Sequence, residues 1–232
     1  MNALFRKLRH LFTLGRSAPF VIAVDGPAAS GKGTIAEKLA RHYDFDRLDT
    51  GALYRMAGWR VLNAGGDPSN VGDALAAVRG LKFGELDQAA LRSEDVGEAA
   101  SKVAAIPELR EALLDHQRDF ARHPPGGKGA VIDGRDIGTV VCPFADVKLF
   151  VTARDEVRAH RRFMELHGEQ PDRGEAQVLA DLKARDKRDS ERAVAPLRAA
   201  PDAVLLETSE LDIDAAVATA LAIVDKALAR RS

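Results

Sequence analysis

The chain has 232 residues, 46% hydrophobic and 30% charged, which is ordinary usage for a globular protein and argues against fibrous folds and wholesale disorder. A single cysteine argues against a disulfide-stapled secreted domain and favours the cytoplasm, and no stretch approaches the roughly 18 uninterrupted apolar residues of a membrane span. Thirty-four basic and thirty-five acidic residues leave a net charge of -1, so we expect no nucleic acid partner.

Residues 1–18 form a basic amphipathic N-terminal extension. Apolar residues recur at helical spacing, at Leu4, Phe5, Leu8, Leu11 and Phe12, and basic residues supply the polar side. A secretory signal needs a longer unbroken apolar region. We therefore expect a mobile tail or an accessory helix, or alternatively a weak anchor to an anionic surface, and we predict that residues 19–232 form the folded domain.

Four apolar runs without strict alternation predict buried parallel strands. They cover residues 20–25, 130–133, 147–152 and 203–207. A shorter run at 47–49 is a candidate fifth strand. Helical patterns separate these runs, and this alternation predicts an α/β fold with a mainly parallel sheet flanked by helices.

Two long helical stretches interrupt the pattern of strands. The first, between Asp49 and Ala130, predicts an inserted subdomain. The second runs from residue 153 to 195 and is broken by Gly168, Pro171 and Gly174, which predicts two helices joined by a turn.

A glycine-rich loop directly follows the first strand and precedes a helical run. Glycines let successive N–H groups turn toward phosphate oxygens, while the helix N-terminus and Lys32 add positive charge. The predicted triphosphate site consists of Gly26, Pro27, Ala28, Ala29, Ser30, Gly31, Lys32, Gly33 and Thr34. Gly33 stands where most such loops have Ser or Thr for magnesium, so we expect Thr34 to bind the metal.

The second strand ends in Asp133, a carboxylate expected beside this loop. Open α/β sheets bind ligands at the carboxyl ends of their strands, so we predict that Asp133 binds magnesium, directly or through water. An Asp at a strand end can equally form a turn or cap a helix. The segment Gly134-Arg135-Asp136 that follows favours the ligand site.

Arginines concentrate on the two helices predicted after residue 153. Arg185, Asp189 and Arg192 are spaced i, i+4 and i+7 in a helical run predicted to end at residue 193, and therefore share one face. On the upstream helix, one face is likewise predicted to carry Arg154, Arg158, Arg161 and Arg162. Such faces are usually solvated surfaces with weak ion pairs. Beside a triphosphate loop, guanidinium groups can instead follow charge spread over phosphate oxygens.

Four segments in this order closely resemble the bacterial cytidylate kinases. They are the loop at 26–34, Asp-Thr-Gly-Ala-Leu-Tyr-Arg at 49–55, the segment 130–138 around Asp-Gly-Arg-Asp, and the segment 185–197 ending Arg-Ala-Val-Ala-Pro-Leu. The resemblance extends from about Phe20 to the C-terminus. It implies a three-layer P-loop kinase core with an insert for the nucleoside monophosphate at about 50–122 and a helical lid at about 154–190. It also implies transfer of a phosphoryl group from ATP to CMP or dCMP with Mg²⁺.

The resemblance assigns the acceptor nucleotide to residues of the insert and of the second strand. Thr50, where the family commonly has Ser, would hold the acceptor's phosphate together with Arg55 and Arg135. The cytosine base would be read by Ser101, Arg110 and Asp136. This fits the base, because cytosine offers both acceptors and an amino donor.

The remaining roles implied by the resemblance concern the sugar and the transferred group. Arg185 and Asp189 would hold the sugar, with Arg185 also facing phosphate, and Arg192 would lie near base and phosphate. Arg161 and Arg162 would close over the transferred group. The residues expected to stabilise the transferred charge are Lys32, Arg135, Arg161, Arg162, Arg185 and Arg192.

Two features depart from the family, and two alternatives remain open. The insert is short at 81–95, where Gly84 and weak alternation argue against the family's small antiparallel sheet, and residues 1–18 lie outside the resemblance. The acceptor could instead be UMP or AMP. The chain could also be a non-catalytic nucleotide switch, although the sequence lacks the guanine-selecting Asn-Lys-x-Asp segment. We expect the protein to be a monomer.

Overall fold

The computed structural model describes residues 18–80, 91, 93–166 and 174–231. Its centre is a five-stranded parallel sheet in the order β2-β3-β1-β4-β5. The strands are β1 (Phe20–Asp25), β2 (Asp46–Asp49), β3 (Gly129–Gly134), β4 (Val147–Thr152) and β5 (Val204–Glu207). The four predicted apolar runs and the shorter candidate run are therefore strands, and the predicted parallel sheet is confirmed.

Helices cover both faces of this sheet and fill the two long connections. Within the described residues the α-helices are α1 (Lys32–Tyr43), α2 (Thr50–Asn63), α3 (Val71–Val78), α4 (Glu94–Val103), α5 (Pro107–Arg122), α6 (Asp155–Leu166), α7 (Glu175–Ser190) and α8 (Ile213–Arg231). A short π-helix, Ile137–Val141, follows β3. None of the described helices is long and apolar enough to cross a bilayer.

The sheet is the middle of three layers because successive side chains of β1 point to opposite faces. Ile22 packs in one buried cluster with Ile35 of α1 and Val224 of α8. On the other face Ala23 packs in a cluster with Ala121 of α5 and Ile137 of the π-helix. The α/β class predicted from the alternation of elements is thus observed, as is the three-layer core that the resemblance implied.

Helices α2 to α5 pack in a separate cluster that includes Leu53, Val103 and Leu109. Helices α2 and α4 approach closely at Gly58, where an added Cβ would lie 2.8 Å from the backbone nitrogen of Ala100. This contact positions the backbone of α4 at Ala100 and therefore also at Ser101, the residue after it. The small sheet questioned at 81–95 falls largely outside the described residues, as does most of the basic extension at 1–18.

Helices α6 and α7 pack side by side through Ala159, Val178 and Leu182. The prediction of two helices is confirmed, with Gly168 and Pro171 of the predicted turn lying outside the described residues. The prediction that the second helix extends to residue 193 is wrong, because α7 ends at Ser190. The chain turns back after the helix, and the Leu197 N–H donates to the Asp189 carbonyl.

Candidate active site

A cavity of about 310 Å³ lies at the carboxyl ends of the central strands. It brings together the phosphate loop from Ala28 to Thr34, Asp133 and all nine residues predicted to bind the acceptor. Three predicted site residues are not part of its wall, namely Gly26, Pro27 and Arg161.

The loop turns sharply through three residues with positive φ, namely Gly26, Ala29 and Gly31. Gly26 has a φ of 152°, and an added Cβ would lie 2.0 Å from the Val151 carbonyl oxygen. Gly31 has a φ of 85° and precedes α1 without any side-chain hydrogen bond to that helix's N-terminus. Free N–H groups at a helix N-terminus favour an anion.

Lys32 lies inside the curve of this loop. Its Nζ donates to the Pro27 carbonyl oxygen at 3.1 Å. Burial, and then the neighbouring Arg135, lower the pKa of Lys32 to about 7. An anion bound in the loop would favour the charged ammonium.

Asp133 faces the loop and is held by Arg47, which is not among the predicted site residues. The Arg47 Nε donates to Asp133 Oδ1 at 3.0 Å. Burial, and then the charge of Asp49, raise the pKa of Asp133 to about 6 against the opposing effect of Arg47. An added Cβ on Gly33 would lie 3.4 Å from Arg47 Nη2, so this guanidinium lies close to the place where other loops carry a hydroxyl. Arg47 and Asp49 share one face of β2 by strand alternation, which is the signal that could have identified Arg47.

Two residues predicted to hold the acceptor's phosphate are fixed by the ends of β2 and β3. The Thr50 hydroxyl donates to the Asp133 carbonyl oxygen at 2.8 Å. Arg55 Nη2 donates to Asp49 Oδ2 at 2.6 Å, while Asp49 also caps α2. An added Cβ on Gly134 would lie 2.6 Å from the Thr50 hydroxyl, so glycine is required for this close approach.

The three residues predicted to read the base belong to two buried polar pairs, one of which includes Asp189, predicted to hold the sugar. Arg110 Nη2 donates to Asp136 Oδ2 at 2.5 Å, and the Arg110 guanidinium lies 5.4 Å from the centre of the Tyr54 ring. Ser101 Oγ donates to Asp189 Oδ1 at 2.9 Å. A ligand in this part of the cavity meets donors and acceptors that are already oriented.

Asp189 connects the base side of the cavity to its phosphate side. Besides Ser101, it accepts hydrogen bonds from Arg135 Nε at 3.1 Å and from Arg192 Nη2. Burial alone would raise the pKa of Asp189, but Arg135, Arg192 and Arg185 hold that pKa below its ordinary value. Arg192 reaches this network from the segment after α7 rather than from the helix face predicted for it.

Arg185 is a buried cation with no counter-ion bonded to it in the described part of the chain. No residue within the described ranges forms a hydrogen bond or ion pair with its guanidinium, and its Nε is buried without a partner. Burial, and then the charge of Arg135, lower the pKa of Arg185 to about 10. A cationic group held this way beside a second arginine favours binding of an anion.

The arginines predicted to share one face of α6 contact different parts of the molecule. Arg158 is buried and donates to the Ala28 carbonyl oxygen at 3.1 Å, linking α6 to the phosphate loop. Arg162 faces the cavity, whereas Arg161 donates outside it to the Thr208 hydroxyl at 3.0 Å. Arg154 precedes α6 and forms an exposed ion pair, so it does not belong to the predicted helix face.

Comparisons with known proteins point to one family. A family model described as cytidylate kinase matches residues 22–226. The curated cytidylate kinase of Rhodospirillum rubrum is 56% identical over 204 residues, which cover 88% of this chain and 96% of that protein. The cytidylate kinase of Methylocella silvestris is 55% identical over 207 residues, covering 89% and 94%.

A solved structure shares the fold alone. It is an uncharacterized protein from Eubacterium ventriosum, which is 19% identical with a TM-score of 0.53 and covers 90% of this chain and 99% of that one.

Proposed function

Because this chain belongs to the cytidylate kinase family, we propose that it transfers the γ-phosphoryl group of ATP to CMP or dCMP in the cavity described above. The products are ADP and CDP or dCDP. The observation that carries the proposal is the buried Arg185 guanidinium, which has no bonded counter-ion among the described residues and lines the same cavity as the phosphate loop and the acceptor residues. A nucleotide phosphate would supply a counter-ion for this arginine.

We assign the donor to the loop and the acceptor to the opposite wall. Lys32 and the N–H groups at the start of α1 would hold the donor's phosphates. Thr50, Arg55 and Arg135 would hold the acceptor's phosphate, and the pairs Arg110–Asp136 and Ser101–Asp189 would contact the nucleoside. The Arg135–Asp189 ion pair, at 3.1 Å, supports this arrangement because it joins the residues proposed for the acceptor's phosphate to those proposed for its nucleoside.

The reaction requires no general base. The attacking atom is a phosphate oxygen of the acceptor, which is already ionised at neutral pH, so positioning and charge stabilisation carry most of the catalysis. We propose that Lys32, Arg135, Arg162, Arg185 and Arg192 stabilise the charge on the transferred group. Arg161 would join them only after leaving Thr208, to which it is bonded here.

Thr34 and Asp133 are the residues we propose for magnesium. Their hydroxyl and carboxylate oxygens are the hard ligands that Mg²⁺ prefers, and both line the cavity next to Lys32. Within the described ranges no three His, Cys, Asp or Glu residues cluster as a metal site, which fits an ion held largely by nucleotide phosphates. When bound, magnesium neutralises charge on the donor's phosphates.

Closure of α6 and α7 over the cavity would exclude water, whose attack on ATP would waste the donor. We propose a monomer, because residues of one chain supply both walls of the cavity.

The lone cysteine, Cys142, is buried and has no partner for an internal disulfide, which supports a cytoplasmic location.

A coupled assay of ADP release tests the function. ATP is supplied with CMP, dCMP, UMP, AMP or no acceptor in turn. We expect the highest kcat/KM with CMP or dCMP and little release without an acceptor. Faster release with UMP or AMP would support the alternative acceptors, and ATP binding without release would support the switch.

A further inference from the structure

One carboxylate of the cavity wall, Glu94, is bonded to an arginine that we propose for the transferred phosphoryl group. It is the first residue of α4, lines the cavity, and its side chain is 19% exposed. Glu94 Oε2 accepts hydrogen bonds from Arg162 Nη2 at 3.0 Å and from Arg162 Nε at 3.3 Å. One carboxylate oxygen therefore occupies two donors of a guanidinium that would otherwise face a nucleotide.

The charge of Glu94 opposes the binding of a triphosphate. It also acts on Arg185, whose charged form it favours. A fixed negative charge bonded to Arg162, and near enough to Arg185 to favour its charged form, repels an anionic ligand unless the carboxylate gives up its partner. When nucleotide is absent, the same carboxylate accepts hydrogen bonds from partly buried donors of Arg162. Leaving those donors without an acceptor would cost free energy.

The ion pair also connects two elements across the cavity. Glu94 belongs to α4, the helix that carries Ser101, whereas Arg162 belongs to α6. A second partner of Arg162, Glu165, lies on α6 itself and is 61% exposed. Of these two carboxylates, Glu94 is therefore the one that holds the arginine against the opposite wall.

We propose that Glu94 is a positioning residue that takes the place of phosphate on Arg162 and is displaced when the donor nucleotide binds. This inference rests on the proposed function, because it takes the donor to be a triphosphate. Arg162 is then kept in position in the free enzyme and released to the phosphates when ATP arrives. Binding of ATP must break the Glu94–Arg162 pair, so Glu94 lowers the affinity for ATP.

Replacing Glu94 with glutamine tests this exchange, because the amide keeps the size of the side chain and removes its charge. We expect Glu94→Gln to lower the Kd for ATP at least threefold in calorimetric titrations without acceptor. The KM for CMP should change much less than the KM for ATP. The matched control is Glu98→Gln, because Glu98 lies on the same helix, is 54% exposed and pairs with Lys102 outside the cavity wall.

The same substitution in a protein that lacks Arg162 distinguishes two explanations. One is that phosphate displaces Glu94 from Arg162, and the other is that the charge of Glu94 simply repels ATP. In an Arg162→Ala protein, Glu94→Gln should no longer tighten ATP, since the partner is gone. An unchanged or higher Kd in the single variant, or equal tightening in both backgrounds, would overturn the proposal. Either result would leave the proposed function intact, provided that the unaltered enzyme phosphorylates CMP. Failure of the unaltered enzyme to phosphorylate CMP would count against the proposed function itself.

Discussion

The backbone N–H of Gly138 donates a hydrogen bond of 2.7 Å to Oδ2 of Asp25, and the N–H of Ile137 donates one of equal length to Oδ1. Asp25 ends β1 directly before the phosphate loop, and the two amides directly follow Asp136. One buried carboxylate therefore ties the donor's loop to the segment that carries Arg135 and Asp136. Both of its oxygens are used, so an amide in its place would turn an N–H₂ group toward one of the two N–H donors.

This carboxyl should titrate near neutral pH. Burial raises the pKa of Asp25 from its ordinary value of 3.8 to about 7. Because the folded state holds the proton more tightly, the contribution of Asp25 to the free energy of unfolding is greatest below pH about 4 and declines as the pH rises to about 7. We expect the ¹H–¹⁵N resonances of Ile137 and Gly138 to shift with a midpoint near 7. Absence of this transition, or its survival in Asp25→Asn, would contradict the assignment.

Replacing Lys32 with alanine should remove most turnover. The loop would lose its only full positive charge, and loss of one such group from a transition-state site costs roughly 100-fold to 1000-fold in kcat. CMP binding should change far less than transfer. Lys38→Ala is the control, because Lys38 lies on the same helix in an exposed ion pair with Asp214. A Lys32→Ala enzyme with a nearly normal rate at saturating ATP would show that Lys32 does not serve the transferred group.

Replacing Asp136 with asparagine should lower the turnover of CMP. It should also decrease the ratio of kcat/KM for CMP to kcat/KM for UMP, by about tenfold. CMP presents an amino donor at N4 where UMP presents a carbonyl, and an amide can offer either a donor or an acceptor. Asp136 is buried with Arg110, so its replacement also loosens that arginine. Asp119→Asn is the exposed control on α5. Equal losses for both acceptors would show that Asp136 supports the phosphate site through Arg135 instead.

Replacing Asp189 with alanine should weaken both CMP and dCMP, and CMP more. A carboxylate has about four acceptor positions, and Ser101, Arg135 and Arg192 use three of those on Asp189. The position left on Oδ2 suits a ribose hydroxyl, and loss of the network should raise both KM values. We expect the ratio of KM for CMP to KM for dCMP to increase. An unchanged ratio would mean that Asp189 only positions the arginines.

The strands and the phosphate loop could be predicted because their signals are local. Buried parallel strands are apolar on both faces, so Phe20–Asp25 and Val147–Thr152 stand out without knowledge of their neighbours. The glycine loop is recognisable because its backbone conformation restricts which residues fit, as at Gly26.

The missed contacts depend on pairing between distant segments. Arg47 meets Asp133 only because β2 lies beside β3 in a register that aligns Asp49 with Asp133. The spacing of Arg192 predicts a position on the helix, yet α7 ends at Ser190 and Arg192 bonds to Asp189 from the segment that follows. The contact between Glu94 and Arg162 joins two helices whose packing no local pattern encodes.

The central claim is that this cavity moves the γ-phosphoryl group of ATP onto a cytidine monophosphate. The most direct measurement supplies ATP labelled in its γ-phosphate together with equal concentrations of CMP, dCMP, UMP and AMP, and separates the labelled products at early times. We expect the label to enter CDP and dCDP well before UDP or ADP. Label found mainly in UDP, in ADP or in inorganic phosphate would contradict the claim.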